Sequence, residues 1–384
     1  MKIKALVNAR LILKDHLATG QALLFDEQIE GLIPVSELPK NIEKIDAGGH
    51  YVSPGFINIH IHGCGGADTM DATPEALDTI STIQAATGVT AFLPTTMTYD
   101  LTSIDKALTN IRKVMDRGEE PGAKILGAYL EGPFINAEHK GAQKATYIQK
   151  ADFCKLHDYT DLIRYILLAP ETLNDEELQE FIQLAQQHGI QLTLGHSGAT
   201  YEQAYTFLRR AGCKHVTHLF NGMTPFHHRR PGIVGAAWNT DAMCELICDN
   251  VHSHPAAQCL TYRLKGLDHL ILITDSMRAC ALGDGVSELG GQKVFVDGTR
   301  ATLTDGTIAG SVLTMDRALA IFKENAGLTF PEVIQLVTLN PARELHDPKR
   351  GRLSYGCRAD LTIFDETFKI QATYVGGKLI YQRD

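Results

Sequence analysis

Between Pro54 and about Asn340 the chain alternates, eight times, between short β-rich runs and segments with helical starts and stops. Few folds accommodate that rhythm. The runs are FINIHIH (56–62), VTAFLPT (89–95), KILGAYLE (124–131), RYILLAP (164–170), IQLTLGH (190–196), KHVTHLF (214–220), MCELICD (243–249) and HLILITD (269–275). Several are apolar on both faces, as strands buried in a parallel sheet require. Thr73-Pro74-Glu75 supplies an N-cap, a first-turn proline and an early acid, and Gly88 closes that helix. Asn174-Asp175-Glu176 opens another, closed by Gly189. Eight such units predict an α/β fold, a (β/α)8 TIM-like barrel. A dinucleotide-binding sheet is the alternative. It would want G-x-G-x-x-G after its first strand, and Gly63-Cys64-Gly65-Gly66 does not fit that spacing.

The two ends behave differently. Residues 1–52 and 350–384 alternate at period two and carry the turn pairs Gly48-Gly49 and Gly376-Gly377. They predict one small β-sandwich domain, brought together because the barrel, residues 53–349, closes on itself. Residues 285–310 predict a β-rich insertion with hairpin turns at Asp297-Gly298 and Asp305-Gly306. The opening MKIKALVNARLIL reads as a strand rather than a signal peptide, and no apolar stretch approaches membrane-spanning length.

A hydrophobic fraction of 44% is ample for a packed core. A net charge of -9 argues against nonspecific nucleic-acid binding, which depends on neutralising phosphates, yet leaves room for a small anionic substrate. The 8 cysteines form no Cys-x-x-Cys, Cys244 and Cys248 being the closest pair. Most lie in apolar segments as small core residues, which suits a reducing cytoplasm.

His60-Ile-His62 ends the first run, and a second His-x-His, His252-Ser-His254, occurs later. Among 16 histidines such a pair is weak by itself. Context strengthens the first. Side chains alternate faces along a strand, so Ile57, Ile59 and Ile61 share one face, and Phe56, Asn58, His60 and His62 the other. With the isoleucines toward the helices, both histidines point into the C-terminal mouth, where barrel enzymes place their active sites. Glu131 ends the third run, His196 the fifth and Asp275 the eighth, and the sixth carries His218. Each alone has a plain reading, as a hydrogen-bonded histidine or a helix cap. Jointly, two acids and four imidazoles at one barrel mouth are made favourable by a divalent metal. His215, His227 and His254 read as ordinary structural histidines.

The order of PGFINIHIHG, GVTAFLPT, LEGPFIN, LGHSGAT, THLFNGM, RRPG, ITDSM, GTIAGS, TLNPAR and GRLSYGCRADL resembles the amidohydrolase superfamily. In detail it is similar to the N-acetylglucosamine-6-phosphate deacetylase family, over nearly the whole chain. The resemblance implies that Glu131, His196 and His218 bind the metal common to active members. It matches His60 and His62 to the first metal pair of the superfamily, which some deacetylases have lost. One or two divalent ions per subunit (Zn, Fe, Mn or Co) are thus expected, with Glu131 bridging if both sites fill. Asp275 matches the catalytic aspartate, and is counted with the metal-site residues.

The implied reaction converts N-acetyl-D-glucosamine 6-phosphate to D-glucosamine 6-phosphate and acetate, in amino-sugar catabolism and cell-wall recycling. Asp275 would act as general base and then general acid on a metal-activated water. The resemblance puts Asn221, the Gly222 amide and Arg229 on the substrate phosphate. It has Arg229 reach the active site of a neighbouring subunit, which implies a homodimer. His252 matches a substrate contact, and Ala142 and Gln143 the segment that touches sugar and acetamide. Some relatives carry histidine where this chain has Gln143, which can donate to a carbonyl but cannot titrate. Ile308, Ala309 and Gly310 match a loop that closes over the substrate. The competing expectations are an N-acetylgalactosamine-6-phosphate deacetylase, another amidohydrolase of dihydroorotase-like or dipeptidase-like type, and a non-catalytic sugar-phosphate-binding barrel.

Overall fold

The structure, a computed structural model, describes residues 2–119 and 121–384. Met1, the first residue of the expected terminal β unit, lies outside the described residues. Eight parallel strands follow one another in chain order. They are β1 (Phe56–Ile61), β2 (Val89–Pro94), β3 (Lys124–Ile125 and Ala128–Leu130), β4 (Ile163–Leu168), β5 (Gln191–Leu194), β6 (His215–Val216), β7 (Met243–Ile247) and β8 (Leu270–Ile273). All six residues of β1 and of β2 are buried, which explains why these runs lack polar alternation.

The ring closes between β8 and β1 at the mouth, where the Asp275 amide donates to the His60 carbonyl at 3.0 Å. Toward the opposite end the strands part. There the Ile57 amide bonds Val337 at 2.7 Å and the Leu272 amide bonds Leu336 at 3.3 Å, so a later segment fills the seam. The fold is an α/β TIM-like barrel.

The outer helices begin where the sequence indicates. Helix α1 (Pro74–Ala86) is capped by Thr73, whose hydroxyl accepts from the Ala76 amide at 3.3 Å. Gly88 then turns the chain into β2 at φ +85°, where a Cβ would come within 2.6 Å of the Phe56 ring. Helix α2 (Leu101–Arg117) follows β2, and α3 (Asp175–Gln187) follows β4 behind a reciprocal Asn174–Glu177 capping box. Helices α4 (Tyr201–Leu208), α5 (Gly232–Trp238), α6 (Pro255–Lys265) and α7 (Met315–Ala326) complete the layer.

One expected helix is missing. Among the described residues no α-helix follows β3; short 3-10 turns at Ala137–His139, Ala145–Tyr147 and Phe153–Tyr159 take its place. The chain stays at the mouth instead. The Asn136 amide bonds the His196 carbonyl at 2.9 Å, and Ala142 and Gln143 line the cleft before Phe153 reaches the outer layer.

The two chain ends share one apolar cluster, with Leu6, Leu23 and Phe25 against Leu361, Ile363 and Tyr374. Strand Leu361–Phe364 pairs antiparallel with Tyr51–Pro54, which runs through Gly55 straight into β1. The Gly376-Gly377 pair makes a hairpin between Ile370–Val375 and Lys378–Gln382. The insertion is a three-stranded antiparallel sheet of Gly285–Leu289, Gln292–Asp297 and Arg300–Thr302. Asp297-Gly298 turns it as expected, and a further turn forms at Gly290-Gly291. Its buried face packs Leu289 and Val294 over Met97 and Met277 beside the mouth. No helix among the described residues is long and apolar enough to cross a membrane.

Candidate metal centre and cleft

Alternation alone places two of the strand ends. Asn58 points into the barrel, where its amide donates to Thr274 Oγ1 at 2.9 Å, so His60 and His62 follow it inward. Tyr129 also points inward, meeting Thr217 Oγ1 at 2.7 Å, and Glu131 follows it.

The other three ends need a second device. Thr193, Thr217 and Thr274 face the interior, so a continuing strand would turn His196, His218 and Asp275 outward. Each of the three instead has a left-handed backbone, with φ +43°, +29° and +47°. That conformation is uncommon outside glycine and swings each side chain back over the mouth. Such strain, about 1–3 kcal/mol per residue, persists only where surrounding contacts enforce it.

The six side chains meet around Glu131. Its Oε2 lies 2.8 Å from His62 Nε2 and 3.6 Å from His60 Nε2. Its Oε1 lies 2.9 Å from His196 Nε2 and 3.1 Å from His218 Nε2. Asp275 Oδ1 joins the first pair, 3.2 Å from His62 and 3.5 Å from His60. Two ligand groups result, His60–His62–Glu131–Asp275 and Glu131–His196–His218, all buried and sharing one carboxylate.

Three of the four histidines are held in the form a metal requires. His62 Nδ1 donates to the Thr95 carbonyl at 3.2 Å, His196 Nδ1 to the His139 carbonyl at 2.8 Å and His60 Nδ1 to Glu245 Oε2 at 3.0 Å. Each therefore presents Nε2 to the centre. His60 Nε2 is buried without a hydrogen-bond partner, so a lone pair is aimed where a cation would stand. Without a cation, protons take its place. Burial opposes a charge on His62, but bonds to Asp275 and Glu131 outweigh it and raise its pKa to about 10. Burial likewise opposes the charge on Glu131, and bonds from His196 and His218 keep it ionised well below the usual carboxylate range. The donor set fits a divalent metal.

The centre floors a cavity of about 240 Å³ that holds most of the remaining expected residues. Ala142, Gln143, Asn221, Gly222, His252, Ile308 and Gly310 line it. Gln143 accepts from the Thr98 amide at 2.9 Å, while its own Nε2 is buried and unpartnered. A Cβ on Gly222 would stand 2.6 Å from His196 Nδ1, so glycine is required there. His252 Nδ1 bonds Asp249 Oδ2 at 2.7 Å, which fixes the ring. Ala309 is buried in the insertion's cluster rather than lining the cavity. Arg229 is exposed beside His228 and outside the cavity. His254 caps α6 by accepting from the Ala256 amide at 3.1 Å, and His227 accepts from the Arg229 amide at 3.3 Å.

Three supporting acids were not singled out in the sequence. Glu245 holds His60; Asp249 holds His252; Glu171 binds Ser197 Oγ and the Gly198 amide, both at 2.6 Å, behind His196. An acid in the middle of the apolar run MCELICD, Glu245, was a usable signal, because a buried charge must be paired.

Comparison with known proteins agrees with this fold. The amidohydrolase family model matches residues 51–380. An N-acetylglucosamine-6-phosphate deacetylase of Bacillus subtilis is 39% identical over 85% of this chain and 84% of its own. An N-acetylgalactosamine-6-phosphate deacetylase of Escherichia coli O157:H7 is 36% identical over 95% of this chain and 97% of its own. The crystal structure of the N-acetylglucosamine-6-phosphate deacetylase of Pasteurella multocida superposes with a TM-score of 0.92, at 29% identity, covering 99% of this chain and 100% of that one. The chain belongs to the amidohydrolase family and is a hydrolase of amide bonds.

Proposed function

We propose that the protein hydrolyses the acetamide of N-acetyl-D-glucosamine 6-phosphate to D-glucosamine 6-phosphate and acetate. The observation that carries this reading is the shared Glu131 cluster flooring a cleft beside an unpartnered donor, Gln143 Nε2. Similarity to deacetylases of that name supports the substrate. The relative that acts on the galacto epimer supports one second reading, N-acetylgalactosamine 6-phosphate.

His60, His62, Glu131, His196, His218 and Asp275 would hold two divalent ions (zinc, iron, manganese or cobalt). Such an ion polarises a carbonyl and brings the pKa of water toward neutrality. Asp275 takes the proton of the attacking water and delivers it to the departing nitrogen. Gln143 Nε2 donates to the acetyl oxygen as negative charge develops there. His252, held by Asp249, orients the sugar, and Ile308–Gly310 covers it.

Asn221 and the Gly222 amide receive the phosphate. Among the described residues the cavity lining holds no lysine or arginine, so a dianion there lacks a counter-charge. Arg229 of a second copy supplies it, and the unit in this reading is a homodimer in the cytoplasm. Residues 1–52 with 350–384 make a β-sandwich domain beside the catalytic barrel of 53–349.

The test is acetate release from N-acetylglucosamine 6-phosphate and from its galacto epimer, with metal counted per chain. Gluco turnover above galacto supports the main reading, and the reverse order selects the second. No release from metal-replete protein on either substrate sinks both. Mixing Arg229→Ala with Asp275→Asn chains tests the dimer: activity should return, because one site then keeps both residues.

A further inference from the structure

Glu245 lies midway along β7, fully buried inside the barrel. Its Oε2 accepts from His60 Nδ1 at 3.0 Å and from the His218 amide at 3.2 Å. Its Oε1 faces His215 Nε2 at 3.0 Å, and His215 Nδ1 meets Glu344 Oε2 at 3.2 Å. Glu344 ends the helix Leu339–Glu344, with its side chain 21% exposed. Alternating imidazole and carboxylate thus run from His60 through the barrel to its outer layer. Packing does not demand this, because an apolar side chain fills a barrel strand at lower desolvation cost.

Charge gives it a purpose. With neutral imidazoles at the centre, Glu131, Asp275 and Glu245 place three negative charges in a water-poor interior. The imidazolium of His215 and the carboxylate of Glu344 offset each other. One divalent cation leaves the interior one charge negative; two leave it one charge positive. Without Glu245, one cation balances the remaining acids, and a second adds an excess of two.

We propose that Glu245 is a positioning residue for the His60–His62 metal position. It holds His60 with Nε2 turned to the cleft and supplies the charge that lets this position fill beside the Glu131–His196–His218 position. The proposal rests on the two-metal reading above. It separates the metal positions by what stands behind their rings: a buried charge relay behind His60, against a backbone carbonyl behind His196 and a strained turn under both His196 and His218.

The test uses the full-length chain, stripped with chelator and titrated with Co2+, reading metal bound per chain and visible absorption. Wild type should fill in two steps. Glu245→Gln should fill one step as wild type does and weaken the other about 10–100-fold. Its KM for N-acetylglucosamine 6-phosphate should hold while kcat falls, because Asn221 and Gln143 do not touch Glu245. Glu344→Gln, at the outer end, should weaken the same step less. Two wild-type-like steps in Glu245→Gln overturn the proposal and leave the two-metal reading standing. A single step in wild type sinks that reading first and the proposal with it. If Glu245→Gln does not fold, Glu344→Gln decides, and unchanged steps there overturn the proposal.

Discussion

The two sides of Glu131 are built differently. On one side His60 and His62 sit two residues apart on a regular strand, and simple alternation aims both. On the other, His196 and His218 come from separate strands, and each reaches the centre through a left-handed backbone. The first pair of histidines needs no strain of its own, although Asp275, which joins it, has a left-handed backbone, and it depends on what stands behind one ring. The second stores strain, about 1–3 kcal/mol per residue, which neighbouring contacts must offset. Those contacts are visible: the Asn136 amide on the His196 carbonyl, the Glu171 carboxylate on Ser197 and Gly198, the Glu245 carboxylate on the His218 amide. The strained side is the more committed to one geometry, and in the two-metal reading proposed above the regular side is expected to empty first.

The largest expected effect tests that asymmetry directly. His218→Ala should remove the ion of the strained side and lower kcat by about 10³-fold, the loss of several kcal/mol of charge stabilisation. Asp275→Asn, which keeps shape and removes the base, should cost about 10²–10⁴-fold with N-acetylglucosamine 6-phosphate. The His60→Gln, His62→Asn pair should lose one ion per chain and cost less, about 10–100-fold. Metal counts and steady-state rates on the same preparations decide it. Equal losses from the two sides would erase the distinction.

The same asymmetry explains what was legible in the sequence. Alternation along FINIHIH gives the true facing of His60 and His62, and the polar ends of the first, third, fifth and eighth runs mark the mouth. It does not give the facing of His196, His218 or Asp275. None of the three left-handed positions is itself a glycine, and the threonines before them hold the inward face. Strain enforced by distant contacts leaves no local signature. The supporting acids were hidden for a related reason: Glu245 meets His60 across 185 residues of chain, and only strand register brings them together. Asp249 is different. It stands three residues before His252, a spacing that a purely local reading could have used. The missing helix after β3 is tertiary in origin too, because that segment is retained at the mouth by the bonds that support His196.

A smaller effect should come from the scaffold of the strained side. Glu171→Ala leaves the Gly198 amide and Ser197 hydroxyl without their acceptor, although neither touches the metal positions. An orphaned polar group costs about 1–3 kcal/mol. The substitution should lower thermal stability and loosen the ion held by His196, leaving the Glu131–His60–His62 side intact. Co2+ titration alongside calorimetry measures both. Unchanged metal binding with lowered stability would make Glu171 part of the fold alone.

The smallest expected effect lies behind the regular side and is read in pH. Burial opposes a charge on His215, but its bonds to Glu245 and Glu344 outweigh that and raise its pKa to about 9. Unfolded histidine titrates at ~6.5, so the fold binds this proton more tightly than the unfolded chain does. The stabilisation is complete below about pH 6.5 and is lost as pH rises through about 9. Metal-free wild type should therefore melt above metal-free His215→Gln at pH 6.5, by about 2 °C for each kcal/mol lost. The gap should close by about pH 10, beyond the raised titration. A gap constant across that range would mean that His215 is a neutral hydrogen-bonding group. The acids on either side of it would then carry their charges unbalanced, and the regular side of the centre would lack the charged backing that distinguishes it from the strained one.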